Sequence, residues 1–125
     1  MAEDRIRYGR ALDRIVSQCR TIESFCAGHD RASFLGSEVT KAAIGMSLIV
    51  IGEWLTDIRD GDPTTFAGIT DGHRVIGLRH RIAHGYDDID FDRIWTFLVE
   101  KLPVLFEETS SLRDRFVDEY KVRLD

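Results

Sequence analysis

From Tyr8 to Cys26 the chain places Tyr8, Leu12, Ile15, Cys19, Ile22 and Cys26 at spacings of four, three, four, three and four. A strand changes face at every residue, whereas an α-helix returns to one face after three or four, so this stretch reads as a long amphipathic helix. Gly28 offers its stop. A second helical stretch runs from Ser37 to about Asp60, where Val39, Ala42, Ala43, Met46, Ile49, Val50 and Trp54 form a wide apolar band. A band that wide suits the centre of a bundle, or a surface shared with a partner.

The pattern breaks at Gly61–Thr70, GDPTTFAGIT, whose Gly-Asp-Pro and small polar residues predict a loop. Asp71 is placed to cap a third helix carrying Val75, Ile76, Leu78, Ile82 and Ala83, and Gly85 to end it in the left-handed conformation. Asp90 starts a fourth helix whose buried face holds Phe91, Ile94, Phe97, Leu98, Leu102, Leu105 and Phe106, with a kink expected at Pro103. A last, more peripheral helix from about Ser110 carries Leu112, Phe116, Tyr120 and Leu124. No alternating strand pattern, internal repeat or low-complexity tract intervenes. The predicted fold is all-α, an antiparallel bundle of four to five helices in a single domain over residues 1–125.

A formal net charge of −5 argues against a sequence-independent nucleic-acid coat, which draws its affinity from basic surface that releases counterions. Any grip on RNA has to be local, and Arg74, Arg79 and Arg81 with His73, His80 and His84 form such a local cluster. The opening MAEDRIRYGR leads into no apolar core of a secretory signal, and the apolar run AAIGMSLIVIGEWL is too short to span a bilayer. Cys19 and Cys26 lie roughly 10 Å apart along one helix, too far to bridge, so both are expected as reduced thiols in a cytoplasmic protein.

The densest chemistry lies in RHRIAHGYDD, Arg79 to Asp88. His80 and His84, four apart, share a helix face, and His73, seven before His80, falls in the same row. Spacing alone admits three readings. A His pair at that spacing with Asp87 and Asp88 beyond it is a weak metal-site pattern, since no Glu-x-x-His pair stands on another helix. Metal-free phosphodiester cleavage needs a base, an acid and a cation on the phosphate, and an imidazole with a forked guanidinium supplies them. The plainest reading is cations solvating a helix C-terminus, where they complement the dipole. Tyr86 after Gly85 suits packing over that terminus, Trp54 and Trp95 suit the core, and Asp87 and Asp88 a solvated turn. Glu53 either pairs with Arg79 or sits at the helix surface.

Arg79-His80-Arg81-Ile82-Ala83-His84-Gly85-Tyr86 resembles the Arg-x4-His-x-Tyr signature of the HEPN ribonuclease toxins of the HepT-like family. Ile51-Gly52-Glu53 before it, and Ile89-Asp90, Trp95 and Leu102-Pro103 after it, resemble that family's flanking residues, over about 5–108. The resemblance implies a HEPN bundle that forms a homodimer, with the signature residues of two subunits lining one cleft, and a metal-independent endoribonuclease needing no cofactor. It implies Arg79 on the phosphate and His84 as acid/base, with Arg74 and Arg81 adding charge toward RNA. It also implies an MntA-like minimal nucleotidyltransferase antitoxin that adenylylates Tyr86. The departure is His80, where the family has Asn; a His there can face His84 as the second acid/base group. The alternative is a non-catalytic HEPN module that binds a nucleotidyltransferase or a nucleotide.

Overall fold

The computed structural model describes residues 2–120, and every regular element among them is helical. Five helices have ten residues or more: α1 (Ala2–Cys26), α3 (Glu38–Gly61), α5 (Gly72–His84), α6 (Phe91–Glu100) and α7 (Leu102–Tyr120). Two five-residue helices, α2 (Arg31–Leu35) and α4 (Pro63–Ala67), and a 3-10 turn (Tyr86–Asp88) join them.

The predicted stripe on α1 is the bundle's spine. Leu12, Ile15, Cys19 and Ile22 are fully buried and Tyr8 nearly so, while Cys26 is half-buried at the end, where Gly28 turns the chain at φ 81°. Cross-contacts give the helix directions. Arg7 pairs with Asp57 and the Tyr8 ring lies against Gly61, so the start of α1 meets the end of α3. Arg113 reaches Asp13 at 3.2 Å and Arg20 lies over the Phe106 ring at 5.6 Å, so α7 runs antiparallel to α1. Gly45 of α3 approaches Ile82 and Gly52 approaches Arg79, so α5 runs antiparallel to α3. The order across the bundle is α7, α1, α3, α5, with α6 packed against α2 and α7.

The band predicted on α3 is not its buried face. Ile44, Leu48, Ile51, Leu55 and Ile58 are fully buried, whereas of the predicted residues Val39 and Met46 are 82% and 61% exposed and Ile49, Val50 and Trp54 are half-buried, because α1 and α5 pack on another side of the helix. This helix is also long and apolar enough to cross a membrane, and its buried side is packed against α1 and α5.

The structure corrects several further expectations. The predicted loop over Gly61–Thr70 contains α4: Asp62 caps it by accepting from Thr65 N at 3.3 Å, and Pro63 opens its first turn, where a missing N–H costs nothing. The fourth helix does not kink at Pro103; it ends at Glu100, and α7 restarts at Leu102 with Pro103 in its first turn. No break occurs at Ser110, and α7 is not peripheral, since Leu112 and Phe116 are buried and it packs along α1. Gly85 ends α5 at φ −156°, not in the left-handed region. Asp90 caps α6 as expected and Ser37 caps α3, whereas Asp71, the cap expected for α5, makes no side-chain cap hydrogen bond. Leu124 lies outside the described residues.

Candidate functional site

Ile82, 4% exposed, seats the last turns of α5 on α3. Three positions earlier, Arg79 lies about 60° round the helix from Ile82 and leans the same way. It can do so because the facing residue is Gly52. A Cβ at position 52 would stand 2.5 Å from Arg79 Cβ and 3.0 Å from its Cγ and Cδ, so glycine alone lets the Arg79 stem lie on the α3 backbone. The guanidinium ends beside Glu53, Nη2 to Oε1 at 3.5 Å, with the two side chains 29% and 59% exposed. At that length and exposure the pair is loose. Arg79 Nε is buried without an acceptor, so the Glu53 contact is the one hydrogen bond the guanidinium makes among the described residues. Glu53 thus does both things the sequence left open: it pairs with Arg79 and sits at the surface.

The opposite side of α5 forms a groove. Arg74, Leu78, Arg81 and Gly85, at spacings of four, three and four, make one row facing α6. Ile89, Ile94 and Phe97 close the far side of a groove of about 670 Å³. His80 and His84 also line it, their ring centroids 5.4 Å apart and their planes inclined by 31°. The Arg74 guanidinium lies 5.3 Å from the Phe97 ring centroid, a cation–π distance. Neither Arg74 nor Arg81 forms an ion pair among the described residues, and Arg93 on the rim has a loose 3.6 Å contact to Asp90.

The structure therefore brings together His80, His84, Arg74 and Arg81, and holds Arg79 on a different side of the same helix, against Glu53 of α3. His73 is not part of the His80–His84 pair; its ring sits edge-on to Phe66 at 4.9 Å and does not line the groove. Among the described residues no group of three or more His, Cys, Asp or Glu is placed to hold a metal ion.

Tyr86, in the 3-10 turn after Gly85, is 40% exposed. Its ring meets Phe91 edge-on at 5.6 Å and passes over Gly45, where a Cβ would be 3.7 Å from the ring. Packing and accessibility therefore coexist at this residue. Lys41 also lies on Phe91, its Nζ 5.4 Å from the ring centroid, and it pairs with Glu38 at 2.8 Å. Trp54 and Trp95 are half-buried against the core, with Trp95 5.0 Å from Phe34. Asp87 and Asp88 are exposed.

Sequence reasoning missed Arg93 and the apolar floor of the groove. Leu78, Ile94 and Phe97 carry an ordinary core pattern, and only their meeting across two helices makes a concavity. A sequence model of the Ribonuclease HepT-like family matches residues 15–112, which include both sides of α5 and the whole groove. No curated protein and no solved structure matches the chain.

Proposed function

Because the chain belongs to the HepT-like ribonuclease family, we propose that it is a metal-independent endoribonuclease toxin that cleaves RNA through the RNA's own 2′-OH. The observation that carries this reading is the His80–His84 pair, 5.4 Å apart beside Arg74 and Arg81, in a chain of net charge −5. Three arginines and two aspartates share the groove lining with the imidazoles.

The chemistry assigned to these groups is a single in-line displacement. One imidazole removes the 2′-OH proton, the 2′-oxygen bonds to phosphorus, and the bond to the 5′-oxygen breaks as the other imidazole protonates it. The products are a 2′,3′-cyclic phosphate and a 5′-hydroxyl. We assign His84 and His80 to the two proton transfers and Arg79 to the charge that builds on the phosphoryl oxygens. Arg79 suits that role because its guanidinium has one loose contact to Glu53 to give up.

Arg79 and His84 stand about 140° apart on one helix, so the proposed cleft is completed by a second copy of the chain across a twofold axis. The exposed Val39 and Met46 on α3 are apolar surface for such a homodimer. The proposed regulator is an MntA-like nucleotidyltransferase that adenylylates Tyr86, whose exposure supports access and whose bulky anionic product would stand beside the site. The proposed setting is the cytoplasm.

The test is cleavage of total RNA by the purified protein in EDTA, beside His84→Ala and Arg79→Ala, with product ends analysed. Cleavage that survives EDTA, leaves cyclic phosphates and disappears in both variants is expected. No cleavage by protein whose Tyr86 is free of AMP by mass spectrometry would replace this reading with the non-catalytic binding module.

A further inference from the structure

The groove beside His80 and His84 is larger and less polar than acid/base chemistry requires. Two imidazoles and a phosphate need an open edge with a few donors. Here the edge continues into a concavity of about 670 Å³, within the range of sites that enclose a small organic molecule. Its floor is the half-buried Leu78 and Ile89, lined also by Ile94 and Phe97, which are themselves buried. A phosphate has no use for that floor.

Charge is distributed around it with equal consequence. Arg74 and Arg93 stand on the lining with Arg81, and Arg93 projects into solvent with 89% of its side chain exposed. The acids on the lining are Asp88 and Asp90. Asp90 is already engaged, accepting from Asp92 N at 3.1 Å and Arg93 N at 3.2 Å as the cap of α6. The Asp88 carboxylate accepts no hydrogen bond and joins no ion pair among the described residues, so it is an available acceptor. The lining thus has an apolar floor, guanidinium groups at its rim and a free carboxylate acceptor. That combination matches a nucleotide, whose base is flat and largely apolar on its faces, carries N–H donors on its edge and is tied to a phosphate.

We propose that this groove is a subsite for one unpaired nucleotide of the RNA, next to the phosphodiester that is cleaved. The base lies on Leu78 and Ile89, Arg74 and Arg93 hold its phosphate, and His80 and His84 meet the neighbouring phosphodiester. A base inside a duplex is stacked and paired on the surfaces that the groove would contact, so cleavage falls in single-stranded segments. The subsite rests on the ribonuclease reading for its place in the reaction, but not for its occupancy.

The experiment separates the two. Adenosine, cytidine, guanosine and uridine monophosphates, ribose 5-phosphate and inorganic phosphate are titrated into the full chain and followed by amide NMR shifts. At least one nucleoside monophosphate should bind about fivefold or more tightly than ribose 5-phosphate, as stacking of one base implies, and shift amides of α5 and α6. Leu78→Trp, which fills the floor, should abolish that preference. Arg93→Glu, on an exposed rim position that cannot affect the core, should weaken every phosphate-bearing probe about tenfold or more. Equal affinity for ribose 5-phosphate and all four nucleotides, no binding by any probe, or parent-like binding by both variants overturns the subsite. Nucleotide binding without RNA cleavage leaves the subsite standing and removes the ribonuclease reading. Cleavage with parent KM in both variants does the reverse.

Discussion

Gly52 and Gly77 offer the same substitution with opposite expected signs. Both lie inside long helices, where Ala is favoured over Gly by about 1 kcal/mol through backbone entropy. At Gly77 a new Cβ meets nothing within 4 Å, so Gly77→Ala should keep that gain and stabilise the fold by about 0.5–1 kcal/mol. At Gly52 the same atom would stand 2.5 Å from Arg79 Cβ, which is fixed to the α5 backbone and cannot swing aside like the far end of a side chain. The two helices must part, at an overpacking cost of about 1–3 kcal/mol, so Gly52→Ala should come out about 1 kcal/mol less stable than the parent. The gap between the variants, about 2 kcal/mol, is the quantity to measure, by urea denaturation with a shared slope. RNA cleavage per folded molecule should also drop in Gly52→Ala, because the atoms displaced are those of Arg79. A Gly52→Ala protein as stable as Gly77→Ala, or fully active, would refute the close approach as the reason for glycine at this position.

Asp62 is buried at the start of α4, where it accepts from Arg5 Nη1 at 2.8 Å and Thr65 Oγ1 at 2.7 Å; Asp62→Ala should cost about 2 kcal/mol by denaturant titration. Glu53→Gln should change stability by less than about 1 kcal/mol, since its 3.5 Å contact is largely exposed, and any fall in cleavage beyond that would report positioning of Arg79. Burial raises the Cys19 thiol to about 12, so Cys19 should resist iodoacetamide at pH 8 until the protein unfolds, while half-buried Cys26, raised less, reacts first. A thiol pKa raised by folding contributes stability below the unfolded value of about 8.5, and that contribution is lost as pH rises toward the folded value, so Cys19→Ala should flatten the decline in stability above pH 9. Mixing Arg79→Ala with His84→Ala subunits should restore about a quarter of parent cleavage if one cleft takes each residue from a different subunit, and none if both come from one.

The helices were legible where a single face repeats over many turns. The stripe from Tyr8 to Cys26 and the cap at Asp90 depend on interactions within a few residues, and both are where the spacing puts them. Punctuation was harder. Asp62-Pro63 is a helix start as much as a loop signal, and burial of Thr65 and Phe66, which tertiary packing decides, makes it a helix here. Pro103 marks a boundary of another kind than a kink, because a Pro tolerated in a first turn signals a restart and not a bend. At the site, the periodicity that groups His80 with His84 was readable, since it is local to one helix. His73 obeys the same arithmetic and still falls away from the pair, drawn to Phe66 from α4. The groove was invisible, because concavity between α5 and α6 is not a property of either sequence segment.

One helix serving two sides explains the five-residue spacing from Arg79 to His84. Four residues would stack the two groups, as His80 and His84 are stacked, and Arg79 would then stand in the groove among Arg74 and Arg81, with like charges crowding one phosphate. Five residues turn it onto α3, where Gly52 admits its stem and Glu53 loosely holds its end. In a lone chain that separates the cation from the imidazoles. In the proposed homodimer the same turn aims Arg79 along the exposed α3 surface of Met46 and Val39, toward whatever packs there. If Arg79 joins the imidazoles only on pairing, the monomer presents RNA with an incomplete site, so cleavage should depend on the dimer's concentration and not on the chain's alone.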